Sequence, residues 1–225
     1  MTSKIKNIVR GIVLLGTLMA LFFGSAGTFN WIEAWLFLLF YAVVVTVMVA
    51  WLKKNDPELL KERMTRKKDA KTWDKIILTT YSVLVMIMLV LAGFDAIRYQ
   101  WTYVPLGIKV LGFLGFIPAF LLVFWTMTQN RYLSEVVRIQ EERGHKVCTT
   151  GPYRYIRHPM YMGVIIFVLC FPLALGSLMA LILSVLIIVV FLIRTSLEDK
   201  TLHKELEGYK EYAEKVRYKL IPGVW

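Results

Sequence analysis

Two short stretches of this 225-residue chain gather the side chains that can do chemistry. The first is Gly151-Pro152-Tyr153-Arg154-Tyr155-Ile156-Arg157-His158-Pro159-Met160-Tyr161-Met162-Gly163, with His145 shortly before it. It is basic and turn-rich and stands between long apolar runs. The second holds Arg194, Glu198 and Asp199, at the far end of the next apolar run. Ionisable groups beside a membrane are costly and are usually kept for function. A pocket that mixes cations, one or two carboxylates and aromatic rings suits a zwitterionic or cationic cofactor. A carboxylate pairs with an ammonium, a cation takes a carboxylate, and rings face a sulfonium or an adenine.

Other chemistries fit less well. There is no glycine-rich phosphate loop and no Gly-x-Ser-x-Gly nucleophile elbow. His145, His158 and His203 are too scattered for a metal site, so no metal is expected. Cys148 and Cys170 stand alone, one in a loop and one in a helix, and no disulfide is expected.

The elements that must position these residues are membrane helices. Hydrophobic residues make up 57% and charged residues 19%. The apolar residues fall into runs of about 17 to 24, the length that crosses a hydrocarbon core of about 30 Å. The formal net charge of +11 is not a nucleic-acid signature. All but Arg98 and Lys109 of the 27 Lys and Arg lie at the N-terminus, in 53–75, in 129–158 or in 194–225. Alternate loops are nearly free of positive charge, which is the positive-inside pattern. It puts both termini and the two polar stretches on the cytosolic side, with the basic residues attracted to an anionic leaflet.

The expected fold is an all-α integral membrane protein of five to six transmembrane helices, with a C-terminal helical hairpin and a cofactor pocket at the cytosolic face. It forms one domain, 1–225: a four-helix membrane part, 1–128, and a cofactor-binding catalytic part, 129–225. Helices are expected over 8–27, 31–52, 75–93 and 105–128. Trp31, Trp35 and Trp51 fall near helix ends, as belt aromatics do, and Glu33 reads as an interfacial carboxylate. Asp56-Pro57-Glu58 looks like a helix start, opening an amphipathic helix to about Lys68. Asp95, Arg98 and Trp101 fall in a short outer loop. Gly107, Gly112 and Gly115 permit close helix contact, Pro118 invites a kink, and Lys109 is expected to snorkel outward. The run 159–193, broken at Phe171-Pro172 and Gly176, reads as a tight hairpin. The periodic tail 195–218 is expected to pack along the cytosolic face.

The run GHKVCTTGPYRYIRHPMYMG, followed about forty residues later by RTSLED and then LIPGVW, resembles the isoprenylcysteine carboxyl methyltransferase family and, more loosely, the phospholipid N-methyltransferases. The shared pattern is RHP-x-Y-x-G, a helical hairpin and paired acids, and it covers the C-terminal third. The short loops resemble a prokaryotic member, which would sit in an inner membrane. The resemblance implies an S-adenosylmethionine cofactor, with His145, Lys146, Val147 and Cys148 lining it. It also implies contacts from Tyr153, from the stretch His158, Pro159, Met160 and Tyr161, and from Glu198. Arg194 matches an arginine that faces the carboxylate of a lipidic or prenylated acceptor drawn from the membrane lipids. The chain departs from the pattern at Asp199, a glutamate in the family, and at Arg138, where animal members place a glutamine. Lys215 and Arg217 stand where those members have a basic pair.

Each residue also has a plainer reading. His158 can be a helix-start histidine, Arg154 and Arg157 headgroup anchors, and Tyr153 and Tyr161 belt aromatics. Arg194 and Glu198 can be an i,i+4 pair on one helix face. His203 reads as a surface histidine. An amine acceptor, as in phospholipid N-methylation, needs a base, and His158 is the candidate. A sterol-reductase-like membrane protein using NADPH and a non-catalytic membrane protein are the alternative classes.

Overall fold

The computed structural model describes residues 3–65 and 70–225, with residues 3–10 and 12 described by their backbone alone. Eight α-helices are described: α1 (Ser3–Ala26), α2 (Ile32–Asn55), α3 (Pro57–Met64), α4 (Thr72–Gly93), α5 (Leu106–Gln129), α6 (Pro159–Leu175), α7 (Met179–Glu205) and α8 (Tyr209–Lys215). Among the described residues there is no strand. α2, α5, α7 and α4, the last extended by a π-helical turn Phe94–Arg98, are long and apolar enough to cross a membrane. Shorter apolar helices are Val13–Ala26 and α6. This is an all-helical membrane protein.

α5 and α6 pack antiparallel and very closely, because glycine removes the side chain where they cross. A Cβ on Gly112 would lie 2.4 Å from the backbone nitrogen of Ala174, and one on Gly163 would lie 2.6 Å from Val123 Cγ2. Gly115 abuts Cys170 in the same seam, whereas Gly107 has open space around it and takes no part. Gly112→Ala forces two backbones apart. It should cost about 1–3 kcal/mol or more, read as a lower unfolding midpoint in detergent, with Gly107→Ala unchanged.

Pro172 does not break the hairpin. It sits in the last turn of α6, and the reversal comes at Gly176, whose φ of 84° suits a residue without Cβ. A proline in a helix leaves the carbonyl four residues earlier without its donor. That carbonyl, on Val168, accepts instead from Ser184 Oγ of α7 at 2.7 Å. The turn is then pinned by Asp95, which is fully buried. Asp95 Oδ2 accepts from Ser177 Oγ at 2.6 Å and from the Met179 amide at 3.1 Å. Its Oδ1 accepts from the Thr102 amide at 2.9 Å. The expected outer loop is thus a π turn whose acid is internal.

Other expectations are corrected in the same way. Trp31 is not a belt residue but a core one, 1% exposed, with its ring edge-on to Phe22 at 5.7 Å. Lys109 is partly buried, and its ammonium meets Glu33 at 2.6 Å, between α5 and α2. α3 starts as expected, with Asp56 Oδ1 accepting from the Leu59 amide at 2.9 Å. Its expected continuation to Lys68 runs onto residues 66–69, outside the described residues. The periodic tail is divided, since α7 runs on to Glu205 and α8 begins after Gly208. Lys71 reaches Glu205 at 2.6 Å and Asp74 reaches Arg194, so the start of α4 and the end of α7 share one end of the bundle.

Candidate active site

At that end lies a cleft framed by loop 130–148, the start of α6, the second half of α7 and α8. Its approach begins at Gly151, which has a positive φ, and a Cβ there would strike Gln129 Cγ at 2.4 Å. A single turn over Gly151–Arg154 leads to His158, which caps α6 ahead of Pro159 at the first helical position. The amides of Arg157 and His158 donate to the carbonyls of Tyr218 and Lys219, at 3.0 and 2.9 Å. The motif is thereby laced to the segment after α8.

Asp199 is the hub of that lacing. Its Oδ1 accepts from Arg157 Nε at 2.9 Å and its Oδ2 from Arg157 Nη2 at 3.1 Å. Tyr209 donates to Oδ1 at 2.8 Å, His158 Nε2 lies 3.2 Å from it, and Lys219 Nζ is 3.7 Å from Oδ2. Arg157 Nη1 donates further to the carbonyls of Val216 and Arg217, both at 2.8 Å. Arg157 and Asp199 are both buried and held by these contacts, and of the two Arg157 still lines the cleft. Neither Asp199 nor the exposed Lys215 and Arg217 line the cleft.

Glu198, one residue earlier on α7, is turned about 100° round the helix and does line the cleft. Its Oε2 accepts a hydrogen bond from Tyr161. The Tyr161 ring lies parallel to His158, with centroids 5.8 Å apart, and Arg194 sits over it at 5.2 Å. Arg194 makes no hydrogen bond with Glu198, four residues on, although the two charges attract. Its Nε donates to Asp74 Oδ1 at 2.9 Å, and its Nη2 to the Glu135 carbonyl at 2.8 Å.

Of the residues expected to contact a cofactor, His145, Lys146, Val147, Cys148, Tyr153, His158, Met160, Tyr161 and Glu198 come together around this one cleft, and Arg194 joins them. Pro159 is buried at the helix start and does not line it. His145 lies against Tyr132 with ring centroids 4.6 Å apart, and its Nδ1 accepts from the Gln140 amide. Burial first, then the nearby Arg143 and Arg138, lowers its pKa to about 4, so it is neutral at physiological pH. Arg138 lines the cleft and is held by Glu62 at 3.0 Å and Glu142 at 2.6 Å. Tyr153, whose hydroxyl accepts from Asn130 at 2.8 Å, has its pKa raised by burial and stays a neutral phenol.

The sequence reading missed Asp74 and several aromatics. Asp74, in the first turn of α4, looks in sequence like an acid placed to complement the helix dipole. Nothing local marks it as the partner of a residue on α7. Tyr132, Tyr209 and Tyr212 also line the cleft, and Tyr212 donates to the Tyr153 carbonyl at 2.8 Å.

No curated protein matches the chain. Residues 108–207 match the family model for phospholipid methyltransferase, a stretch that spans nearly all of α5, the laced motif, α6 and all of α7. That match supports a membrane methyltransferase, and the segment carrying the cleft is similar to the phospholipid methyltransferases.

Proposed function

We propose that the protein is an S-adenosylmethionine-dependent methyltransferase that acts on a lipidic acceptor entering from the bilayer, with the cleft open to the cytosol. The carrying observation is Glu198. It is a carboxylate in an aromatic-walled cleft, and its hydrogen-bond partner there is the neutral phenol of Tyr161. The other charged carboxylates around it are engaged: Asp74 by Arg194 and Asp199 by Arg157. Glu198 therefore offers its charge to an ammonium, and the rings of Tyr132, Tyr153 and Tyr161 can face a cation or a purine. Lys146, exposed at the rim, can take a carboxylate.

The residues present fit that cofactor, which supplies a methyl group on a sulfonium as the electrophile. Glu198 and the turn at His158–Tyr161 would bind its amino-acid end, and the stretch 145–148 would frame its base. His158 donates from Nε2 to Asp199 when neutral, which leaves Nδ1 as its acceptor. The chain's contribution is alignment and exclusion of water rather than covalent chemistry. A carboxylate acceptor of isoprenylcysteine type needs no base but needs a cation to align it. A phospholipid amine needs a proton removed, for which His158 is the residue at hand.

The test is calorimetric titration of the purified protein with S-adenosylhomocysteine, with NADPH as the control. Saturable binding is expected, weakened about 10- to 100-fold by Glu198→Ala, in keeping with ~1.5–3 kcal/mol for a hydrogen bond to a charged group. Binding of NADPH alone would move the protein to the reductases.

A further inference from the structure

We infer that Asp74 is a specificity-determining residue: an internal carboxylate that occupies Arg194 and so denies that arginine to an anionic acceptor. This rests on the methyltransferase reading of the cleft. Arg194 is the cation of the cleft wall that lies over the Tyr161 ring, so an acceptor carboxylate reaching that part of the cleft would meet it. A guanidinium grips a carboxylate with two parallel N–H bonds along one of its edges. Two edges include Nη2. One, Nε with Nη2, already faces Asp74, with Nε at 2.9 Å and Nη2 at 3.4 Å. The second N–H of Nη2 is directed to the Glu135 carbonyl at 2.8 Å, which spends the edge shared with Nη1. One face of the guanidinium lies over the Tyr161 ring. What remains is Nη1, a single-point donor, on a cation already paired with Asp74.

Asp74 is not easily displaced. It is fully buried, and its Oδ2 also accepts from the Val137 amide at 2.7 Å. An incoming carboxylate that took Arg194 would strand Asp74 without its counter-ion and away from water, which is costly. Asp74 and Arg194 also hold the amide of Val137 and the carbonyl of Glu135, two groups of the loop that walls the cleft. The pair thus sets the shape of the wall as well as its charge, and it favours an acceptor whose docking group is not a carboxylate.

The experiment uses two probes, an S-farnesyl cysteine with a free carboxylate and its carboxamide, titrated into the full-length protein in the presence of S-adenosylhomocysteine. The wild type should bind acid and amide within about threefold of each other. Asp74→Asn keeps the shape and an acceptor for Val137 but removes the charge, and it should bind the acid at least tenfold tighter than the amide. A wild type that prefers the acid by tenfold or more, with the preference lost in Arg194→Lys, overturns the inference, and this comparison needs no Asp74 variant to fold. So does an Asp74→Asn protein that folds and gains no preference. S-adenosylhomocysteine binding, titrated beforehand into each protein, separates these failures from failure of the methyltransferase reading, in which the thioether itself does not bind.

Discussion

Arg194→Met should be among the most destabilising single substitutions in this protein, lowering its stability by about 3–5 kcal/mol. The reason is the carboxylate left behind. Asp74 is fully buried and takes its charge compensation from Arg194 at 2.9 Å. Methionine fills the volume of the arginine stem but offers no proton and no charge. Asp74 keeps the Val137 amide and its place at the positive end of α4, and neither replaces a full cation. The reverse deletion should cost less. Arg194 lines the cleft, so after Asp74→Asn its guanidinium can turn to water there. The double variant, Asp74→Asn with Arg194→Met, removes both charges and should recover most of the loss. Unfolding midpoints of the four proteins in one detergent check this cycle. Equal costs for the two single variants, or no recovery in the double, would show that the pair is not the source of the stability.

Asp199→Ala should be comparably damaging, at about 3–5 kcal/mol, and its damage should appear at a distance. Removing the carboxylate leaves the largely buried Arg157 guanidinium without its counter-ion, held by the Val216 and Arg217 carbonyls. Tyr209 loses its acceptor, and His158 loses the group that orients its ring. The lacing of the 157–158 turn to residues 216–219 depends on those contacts. Hydrogen exchange at the Arg157 and His158 amides should accelerate markedly, because their partners are the Tyr218 and Lys219 carbonyls. Glu198→Ala should leave the same amides protected while weakening the thioether. Adjacent acids would then have separate tasks, one structural and one facing the cleft. Asp199→Ala with unchanged exchange and a loss confined to cofactor affinity would place both acids in the binding site.

The class and most of the helices were readable from residue order alone. Apolar runs of membrane length, alternate basic loops and an Asp-Pro-Glu helix start are local signals. Burying apolar side chains and satisfying helix ends respond to local pattern. The convergence of 145–161 with 194–199 was readable too, because a hairpin of known length must return its end to the side where it began. Pro172 shows where local reading stops. It looks like a breaker, yet the helix passes through it because Ser184 on the facing helix takes the orphaned Val168 carbonyl. Trp31 went inward for a similar reason, a ring partner supplied by another helix.

Charge pairing was the least legible part. The residue types of the site were evident, and so was the suggestion that Arg194 meets a carboxylate. Which carboxylate was not. Arg194 and Asp74 are 120 positions apart, and Arg157 and Asp199 are 42 apart. A salt bridge has no sequence period to betray it, and several acids were equally available by composition. Close packing of α4 against α7 chose Asp74 for Arg194, and the 100° step between neighbours on α7 sent Asp199 inward and left Glu198 facing the cleft. The sequence by itself determined that cations, acids and aromatics would meet at one end of a helical membrane bundle. Only the tertiary structure decided which charges cancel each other and which faces the cleft, because cancellation depends on contacts of about 3 Å that follow from how helices pack.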